Sequence, residues 1–576
     1  MTVSADPLRT RWTASRSPAL AKGGMVAAKT PQATEAGLAM LRAGGNAIDA
    51  AVAAAFAAGV AEPWMSGLGG GGFLVAWLAR ERRSVVIEYP MISAAAATPA
   101  MFPLAGGGVT DAFLFGWPAV IDSANVIGHR AVAVPGAVAG LALALERHGT
   151  RSLAAALEPA IALADEGVPV TWHTTLTIAK DMANLRRFPE TARTFLPHGV
   201  PPATVEQSRP ALIRQPELAR TLRQLADEGP RAFYEGALAR AIAAHLGEHG
   251  SPVTADDLAA YEARETPGLT IDYRGHQVHT VGGPSGGTSL AQTLLMLDRL
   301  DLAATGHSTA ETLHALAQVF RQAFADRFAW LADPDHVEVP LAALLDPAYA
   351  ADCVARIDPE RATPPRAGDR ARLGVRHGMP PSMPEYLHDG STTHLGVIDA
   401  EGNAVSLTQT LLSAFGSRVT VPGTGVLLNN GMMWFDPEPG RPNSVAGRKR
   451  PLSNMAPAVL TWNGAAIASV GASGGRRIQN CNAQLVCNLI DFGMGAQEAI
   501  EAPRIDASTR ALAVSIRLAA AVRDRLARMG HNVSVRDEAL MTADFASPVL
   551  IRRLADGTLE GGTDPWYFPA TAGGID

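Results

Sequence analysis

The stretch that decides the fold is Asp389-Gly390-Ser391-Thr392-Thr393-His394-Leu395-Gly396-Val397-Ile398-Asp399. A polar, glycine-containing segment gives way there to apolar Leu395 and Val397 at alternate positions. This alternation predicts a β-strand with Thr392 near its start. Because β-branched residues are common in strands anyway, Thr392 on its own carries no functional signal.

A second strand is predicted directly after the first, at Ala404-Val405-Ser406-Leu407-Thr408-Gln409-Thr410. The two are separated by Glu401-Gly402-Asn403, and Asn and Gly favour the positive φ angles of tight hairpin turns. The two-residue period of a strand places Thr408 and Thr410 on one face. The sequence therefore predicts a hairpin that brings these two threonines to one side of a sheet.

Further short motifs follow and precede this hairpin in a fixed order. They are Gly44-Gly45-Asn46-Ala47-Ile48-Asp49-Ala50-Ala51, Gly67-Leu68-Gly69-Gly70-Gly71-Gly72-Phe73, Phe415-Gly416, Pro422-Gly423-Thr424-Gly425-Val426-Leu427-Leu428-Asn429-Asn430, Lys449-Arg450-Pro451-Leu452-Ser453 and Gly471-Ala472-Ser473-Gly474-Gly475. With the hairpin, this combination closely resembles the γ-glutamyltransferase family of N-terminal-nucleophile hydrolases. The resemblance implies an α+β fold: a four-layer αββα sandwich with a large, mainly helical part.

The resemblance also implies that the chain cuts itself between Ser391 and Thr392. An N-terminal tail, residues 1–24, would then precede a large subunit, 25–391, and a small subunit, 392–576. Both would form one αββα unit, as a heterodimer that could pair further into a dimer. Thr392 would be the nucleophile. A threonine hydroxyl needs a base, and the freed α-amino group, with a pKa of roughly 8, would supply it on the same residue.

Three further residues are expected to take part in catalysis on the basis of the resemblance. The Thr410 hydroxyl is expected to hydrogen-bond Thr392 and orient it. The backbone amides of Gly474 and Gly475 are expected to form the oxyanion hole, a device that typically contributes a factor of about 10²–10³ in rate. Without the family context, Ser473-Gly474-Gly475 is equally well explained as a turn before a helix.

The residues that would read a γ-glutamyl group depart from the family pattern. Such a group carries an α-amine and an α-carboxylate, and an unpaired buried charge is costly. The carboxylate-binding arginine of the family aligns with Pro90, and its neighbour Tyr89 is expected to contact the substrate. Three other polar positions align with Leu412, Gly431 and Trp434.

Other expected substrate contacts are partly retained. Ser453 is present, but Asn454 stands where a second serine is usual. The segment Asn429 to Pro437, which includes Asn430, is expected to form an apolar, aromatic wall of the substrate site. Arg418 and Arg476 are candidates for binding a substrate carboxylate, with salt bridges at the protein surface as the alternative. This pattern is closer to the cephalosporin acylase and amidohydrolase branch of the family.

Three functions are compatible with these residues. The first is a self-processing amide hydrolase or acyltransferase that forms an acyl-Thr392 ester with a non-zwitterionic acyl group. The second is a true γ-glutamyltransferase or glutathione hydrolase with different recognition residues. The third is an unprocessed, inactive binding protein, which the retained Thr392, Thr410, Ser453, Gly474 and Gly475 disfavour.

The composition of the chain indicates which partners and which cellular location to expect. The net charge is −6 and no basic run occurs, so nucleic acid is not an expected partner. The longest apolar run, Ala50 to Ala61, is too short to span a bilayer, and Met1 to Lys22 lacks the apolar core of a secretion signal. With three cysteines lacking metal or redox spacing, we expect a cytoplasmic protein without membrane contact that acts on a small-molecule amide.

Two motifs suggest ligands but are better explained by structure. Gly67 to Gly72 matches G-x-G-x-x-G, but a helix precedes it and a strand follows, the reverse of a dinucleotide site. We expect close backbone packing there. His245 and His249 are four residues apart near a fraying helix end, with no third ligand evident in the sequence. No metal and no cofactor are therefore expected.

The remaining chain is predicted to be largely helical between residues 131 and 360. Apolar residues recur at helical spacing in the segments Leu153 to Glu166, Leu218 to Glu228, Arg231 to Leu246 and Thr309 to Ala332. Residues 361–390 are rich in Pro, Gly, Arg and Asp without periodicity, which predicts an exposed connector ahead of the cleavage point.

Overall fold

The computed structural model describes residues 14–106, 116–206, 208–373, 391–540 and 544–576. Within these ranges the strands are β1 (Ala19–Ala21), β2 (Gly24–Ala28), β3 (Gly71–Leu78), β4 (Arg83–Tyr89), β5 (Val168–Pro169), β6 (Leu212–Ile213), β7 (Arg264–Thr266), β8 (Leu269–Tyr273), β9 (His276–Thr280), β10 (Ser391–Asp399), β11 (Ala404–Leu412), β12 (Ala458–Trp462), β13 (Ala465–Ser473), β14 (Ile505–Asp506), β15 (Leu512–Ser515), β16 (Val533–Arg536), β17 (Ser547–Arg553), β18 (Leu559–Thr563) and β19 (Thr571–Ile575).

The helices of the same ranges are α1 (Pro31–Arg42), α2 (Ala47–Ala61), α3 (Ala137–His148), α4 (Leu153–Glu166), α5 (Trp172–Leu185), α6 (Pro189–Phe195), α7 (Pro216–Glu228), α8 (Gly236–Glu248), α9 (Ala255–Ala259), α10 (Gly286–Leu297), α11 (Leu302–Thr305), α12 (Ala310–Trp330), α13 (Leu341–Leu344), α14 (Pro347–Ala355), α15 (Arg370–Leu373), α16 (Arg477–Ile490), α17 (Ala496–Glu501) and α18 (Ala520–Arg528).

Two antiparallel sheets of seven strands lie at the centre of the fold. Their orders are β1-β18-β17-β13-β12-β9-β8 and β19-β2-β10-β11-β3-β4-β7. In the second sheet the strands β10, β11 and β19 come from the end of the chain and alternate in space with strands from its first half. The two predicted fragments therefore share one sheet, so a cut at Ser391–Thr392 would not separate two domains.

The two sheets stack face to face between two layers of helices. Strands β10 and β11 pack on β13, while α1 and α2 cover the second sheet and α10, α16 and α17 cover the first. The serine hydroxyls of Ser406 and Ser469 each donate across the stack, to the carbonyls of Val470 and Val405, at 3.0 and 2.8 Å. This arrangement confirms the predicted αββα sandwich.

The predicted hairpin lies in the middle of the second sheet. Strands β10 and β11 pair antiparallel from Thr393 opposite Gln409 to Ile398 opposite Ala404. The turn between them contains Gly402 at φ 87°, as expected for a tight turn. Every residue of both strands is buried, because helices cover one face of this sheet and the other sheet covers the opposite face.

The predicted helices are mostly where the apolar spacing places them, and α4 spans the predicted residues. The predicted break between α1 and α2 is present, with Asn46 capping α2 by accepting from the amides of Ile48 and Asp49. The segment predicted as one helix from Arg231 is interrupted. A 3₁₀ turn ends at Phe233, and Gly236, at φ +74°, starts α8 afresh.

Two predicted segments lie largely outside the described residues. These are the N-terminal tail up to residue 13 and the connector from residue 374 to residue 390, which includes Asp389 and Gly390. Helix α2 is buried along its whole length. Within the part of the chain that the structure describes, no helix is both long and apolar enough to cross a bilayer.

Candidate active site

The predicted cleavage junction is buried at the start of β10. Ser391 and Thr392 are 4% and 5% exposed. The Ser391 hydroxyl donates to the backbone carbonyl of Trp64 and lies 2.9 Å from the sulfur of Met65. The Ser391–Thr392 peptide is thus held between the first strand of the hairpin and the loop that follows α2.

Two threonine hydroxyls converge on the carbonyl oxygen of Ser391. The Thr410 hydroxyl donates to this oxygen, and the Thr392 hydroxyl lies 2.8 Å from it. The two hydroxyl oxygens are 3.4 Å apart, and the amide of Leu412 donates to Thr410 at 2.7 Å. A hydrogen bond to a carbonyl oxygen favours nucleophilic attack on its carbon, because it stabilises the charge that develops on the oxygen. The geometry therefore suits attack by Thr392 on the preceding peptide bond.

An irregularity in the strand pairing gives Thr392 its position. Ser391 pairs with Leu412 and Thr393 with Gln409, so β11 contains one extra residue opposite Thr392. Leu412 has φ +92°, which is rare for a residue with a β-carbon. Strained backbone of this kind is held by its surroundings and is typical of functional sites.

Gly474 and Gly475, the predicted oxyanion-hole residues, directly follow the end of β13 on the other sheet. A β-carbon added at Gly396 would lie 2.7 Å from Ser469 Oγ, and one at Gly471 would lie 2.1 Å from His394 Cε1. Continuing this cross-sheet alignment by two residues places Thr392 against the end of β13, beside Gly474. The two glycines have φ values of +141° and +62°, which a residue with a side chain adopts only with strain.

A buried polar network beneath the junction was not predicted from the sequence. Glu62 ends the alanine-rich helix α2, is fully buried, and accepts hydrogen bonds from Thr393 and from Tyr567, the latter at 3.1 Å. The Lys29 ammonium lies 3.8 Å from the centre of the Tyr567 ring and donates to Ser547. The sequence does show Glu62 as a single acidic residue at the end of an apolar helix, and this could have indicated a buried carboxyl group.

Burial shifts both charged groups of this network toward neutrality. It raises the pKa of Glu62 to about 7, opposed by the hydrogen bond from Thr393 and by Lys29. It lowers the pKa of Lys29 to about 8, opposed by Asp564 and Glu62. The network can therefore gain or lose protons near neutral pH, next to the predicted nucleophile.

The network also reaches the glycine side of the site. Ser547, the partner of Lys29, pairs with Ser473 at the end of β13. Its neighbour Ala546 lies where a β-carbon on Gly474 would point, at 2.8 Å. Lys29 and Glu62 thus connect the residues under the nucleophile with those beside the predicted oxyanion hole.

The predicted acyl wall, residues 429–437, begins beside the end of β11. Gly431 has no room for a side chain, because an added β-carbon would lie 2.8 Å from that of Ala133 and 3.1 Å from that of Met91. Trp434 is buried in the same apolar cluster, together with Met91 and Leu412. The space beside Gly431 is therefore filled by apolar groups and by the Asn429 side-chain oxygen, which already accepts from the amides of Ala133 and Gly431.

Asn430 is placed beside the site but is used internally. Its amide donates to the carbonyl of Val126 at 2.9 Å and to Ser413 Oγ at 2.7 Å, and its oxygen accepts from the amide of Ser413. Its own backbone amide donates to Leu411. Asn430 therefore fixes the acyl wall against β11 and has little capacity left for a ligand.

Ser453 and Asn454 are both buried and share one cationic neighbour. The guanidinium of Arg327 donates to the carbonyl of Ser453 and, at 3.0 Å, to Oδ1 of Asn454. The carboxamide nitrogen of Asn454 is buried and has no hydrogen-bond partner among the described residues. This nitrogen is a donor that a substrate oxygen could use.

The structure gives Arg418 and Tyr89 internal roles in place of the expected substrate contacts. Arg418 forms a buried ion pair with Asp181, at 2.8 Å from Nε to Oδ2, and also donates to Ser413 and Gly416. The Tyr89 ring is buried in the core between the second sheet and the helices, where an added β-carbon at Gly140 would clash with it. Arg418 and Tyr89 are therefore not part of the proposed substrate site.

Pro90 and Arg476 also have internal surroundings. The carbonyl of Pro90 accepts from the Tyr261 hydroxyl at 2.7 Å. Arg476 is fully buried with its guanidinium over the rings of Phe324 and Phe328, at 5.3 and 4.4 Å from their centres. Burial lowers its pKa to about 9, opposed by Asp506. Arg476 follows the glycines directly, but its charge is directed into the helical layer.

The structure confirms the prediction for the glycine motif, Gly67 to Gly72, but not the reasoning about the histidine pair, His245 and His249. Gly70 packs against β11, where an added β-carbon would lie 2.4 Å from the carbonyl oxygen of Thr410, so close backbone packing is confirmed. The expectation of no metal rested on the absence of a third ligand near His245 and His249. That premise is wrong, since His129 from a distant segment lies beside both.

Comparisons with known proteins extend over the whole site. The family model described as Gamma-glutamyltranspeptidase matches residues 33–573. Acylase ACY 1 proenzyme of Pseudomonas sp. (strain V22) is 38% identical over 559 residues, 96% of this chain and 93% of its own. Glutathione hydrolase proenzyme of Pseudomonas sp. (strain A14) is 36% identical over 510 residues, covering 85% and 82%. The crystal structure of cephalosporin acylase from Bacillus halodurans superposes with a TM-score of 0.84 at 28% identity, covering 100% of both chains.

Proposed function

Because the chain belongs to the gamma-glutamyltranspeptidase family, whose acylase and glutathione hydrolase members are proenzymes, we propose that it is a self-processing amide hydrolase with Thr392 as nucleophile. Membership of this family supports a self-processing acyl hydrolase or acyltransferase. The nucleophile and the acyl preference are our proposal. The observation that carries it is the convergence of the Thr392 and Thr410 hydroxyls on the Ser391 carbonyl oxygen.

Self-cleavage would begin with attack of the Thr392 hydroxyl on the carbonyl carbon of Ser391. The peptide C–N bond breaks, the hydroxyl proton passes to the departing nitrogen, and an ester joins Ser391 to the Thr392 oxygen. Water then hydrolyses this ester. The products are a carboxylate at Ser391 and a free amine and hydroxyl on Thr392, in fragments 1–391 and 392–576.

Turnover would reuse the same atoms. The free amine of Thr392 accepts the hydroxyl proton as the hydroxyl attacks the amide carbonyl of a substrate. The amides of Gly474 and Gly475 would stabilise the oxyanion, and Thr410 would orient the nucleophile. The substrate amine leaves with a proton, and water or another acceptor releases the acyl group from Thr392.

The acyl group is proposed to lack the α-amine of γ-glutamyl. Support comes from the packing at Gly431 against Ala133 and Met91 and from the burial of Trp434. An amine placed there would lose its water without gaining a partner, at about 1–3 kcal/mol for each unsatisfied group and more for a charge. Glutaryl, short dicarboxylic and aromatic acyl groups fit this surface better. Ser453 and the free amide nitrogen of Asn454 are the proposed polar contacts.

A true glutathione hydrolase is the second candidate, favoured by the relative of that name at 36% identity. This alternative keeps the same nucleophile and differs only in the acyl group. The subunits are proposed to stay together as a heterodimer, because both contribute strands to the second sheet. A cytoplasmic location also remains part of the proposal, supported by the free, buried state of Cys353, Cys481 and Cys487.

The nucleophile is tested by intact-mass measurement of the purified protein and two variants. The wild type should yield two fragments, the second beginning at Thr392. Thr392→Ala should remain one inactive chain, whereas Thr392→Ser, which keeps a hydroxyl, should still be cleaved. A Thr392→Ala chain that is cleaved at the same bond, or fully active without cleavage, would overturn the proposal.

A further inference from the structure

Three imidazoles from two distant segments meet at the end of α8. His245 lies in the last turn of this helix and His249 is its C-cap, while His129 starts a separate 3₁₀ turn, His129–Ala131. The Nε2 atoms of His129 and His245 are 3.2 Å apart. One ligand nitrogen from each of the three rings lies within 4.8 Å of the others.

The hydrogen bonding of the cluster leaves lone pairs available. The His249 Nδ1 lies 2.9 Å from the backbone carbonyl of His245, so this nitrogen carries the proton and Nε2 has the lone pair. A ring N–H donated to a carbonyl is the usual support of a metal-binding histidine. The short Nε2 contact between His129 and His245 likewise requires that at least one of the two nitrogens is unprotonated.

The neutral imidazole is the form that binds metals. Burial lowers the pKa of His129 to about 4, and His249 and His245 lower it further. Burial and His249 also lower the pKa of His245. Glu248 and Glu190 act on the pKa of His245 in the opposite direction.

We propose that His129, His245 and His249 bind a divalent transition metal ion of the Zn²⁺, Ni²⁺ or Cu²⁺ class, with water completing its coordination. Imidazole suits these ions. Zinc–nitrogen bonds of about 2.0–2.1 Å place tetrahedral ligand atoms roughly 3.3 Å apart. The His129–His245 pair already has this spacing. The exposed His249 ring stacks on the His129 ring, with 4.0 Å between their centres, and offers a nitrogen within 4.8 Å of the other two ligands.

Such an ion would join the end of α8 to the segment behind the acyl wall. The residue before His129, Gly128, donates from its amide to the carbonyl of Ser417 at 2.9 Å. Two residues earlier, the carbonyl of Val126 accepts from Asn430. The metal would therefore stabilise the frame of the predicted substrate site without contacting the reacting atoms.

The test is a calorimetric titration of the purified, EDTA-treated and desalted full chain with ZnCl₂. The wild type should bind one ion at this cluster and gain thermal stability as the zinc concentration rises. His249→Ala removes an exposed ligand, so it should fold normally and bind zinc at least about tenfold more weakly. His245→Ala should do the same. The matched control is His198→Ala, an exposed histidine outside the cluster, which should bind like the wild type.

A second readout is the visible absorption of bound Co²⁺, which responds to nitrogen ligands and is independent of enzyme activity. The bands should appear with the wild type and His198→Ala and be lost with His249→Ala. A wild type that binds no zinc would overturn the proposal. It would also be overturned if His245→Ala and His249→Ala bind zinc as tightly as the wild type.

Discussion

The cleavage junction and the acyl wall lie side by side yet are built from opposite kinds of residue. Around Ser391 and Thr392, hydroxyls and a buried carboxyl group make hydrogen bonds with one another. Around Gly431 and Trp434, methionine, alanine and indole groups fill the space. The resemblance to the γ-glutamyltransferase family rests on residues of the junction, whereas the expected departures from the family pattern lie in the wall.

We infer from this difference that the proposed reaction and the recognition of its acyl group depend on different residues. The proposed reaction needs only a hydroxyl nucleophile, a hydrogen-bond donor to the carbonyl oxygen and backbone amides, none of which depends on the acyl group. Recognition of a zwitterion needs charged partners, whereas Ala133 and Met91 pack beside Gly431 and Trp434 is buried in the apolar core, and unpaired charges are costly to bury. Changing the wall therefore changes the substrate while the chemistry persists.

The largest stability effect is expected at Arg418, and it tests whether this residue belongs to recognition or to the frame. Arg418→Met leaves Asp181 buried without its partner and should destabilise the protein by about 3–5 kcal/mol. The double variant Arg418→Met/Asp181→Leu should regain much of this loss. Urea denaturation measures both. If Arg418→Met leaves the stability unchanged but alters the acyl preference, Arg418 contacts the substrate and the structural role is wrong.

A smaller effect is expected at Thr410, within the junction. Thr410→Val removes the donor to the Ser391 carbonyl and should slow cleavage and turnover by about 1–3 kcal/mol. Thr408→Val is the matched control. Thr408 lies on the same strand as Thr410, but its hydroxyl contacts His394 of β10, at 2.8 Å. Cleavage is followed by the loss of full-length chain with time. Equal rates for Thr410→Val and the wild type would make Thr410 a strand residue only.

The smallest effect is expected at Glu62 and depends on pH. Its folded pKa of about 7 lies above the ordinary value of 4.5, so its contribution to folding stability is full below about 4.5 and is lost as the pH rises through about 7. Glu62→Gln keeps a partner for Thr393 but cannot titrate. The difference in Tm between this variant and the wild type should therefore change between about pH 5 and 7.

The Glu62 measurement needs a narrow window and a control. Lys29 has a pKa lowered from 10.5 to about 8, so its contribution is present above 10.5 and lost as the pH falls through about 8. Below about pH 7 it stays charged and does not obscure Glu62. The exposed Glu401→Gln serves as the control. A Tm difference that is constant with pH would exclude titration of Glu62 in this range.

Local pattern was sufficient to predict the hairpin and many of the helices. The period of two in β10 and the glycine-containing turn specify adjacent residues, so neither depends on distant contacts. The interruption at Gly236 was missed, because apolar spacing continues across it and only the backbone reveals the break. Family resemblance, rather than pattern, identified Thr392 and the four-layer sandwich.

The residues that pattern missed are those whose partners are far away in sequence. Glu62 meets Thr393 and Tyr567, separated from it by 331 and 505 positions. His129 meets His245 across 116 positions. A single sequence contains no signal for such pairings. Only the fold brings the members of each cluster together.

The most direct test of the central claim compares two substrates that differ only in the α-amine. Cleaved wild-type protein is assayed on glutaryl-p-nitroanilide and γ-glutamyl-p-nitroanilide, and kcat/KM is measured for each. The apolar wall predicts a higher kcat/KM for the glutaryl compound, by roughly tenfold or more, since the amine loses water without gaining a partner. A clear preference for γ-glutamyl-p-nitroanilide would contradict the account of the wall and leave the account of the junction standing.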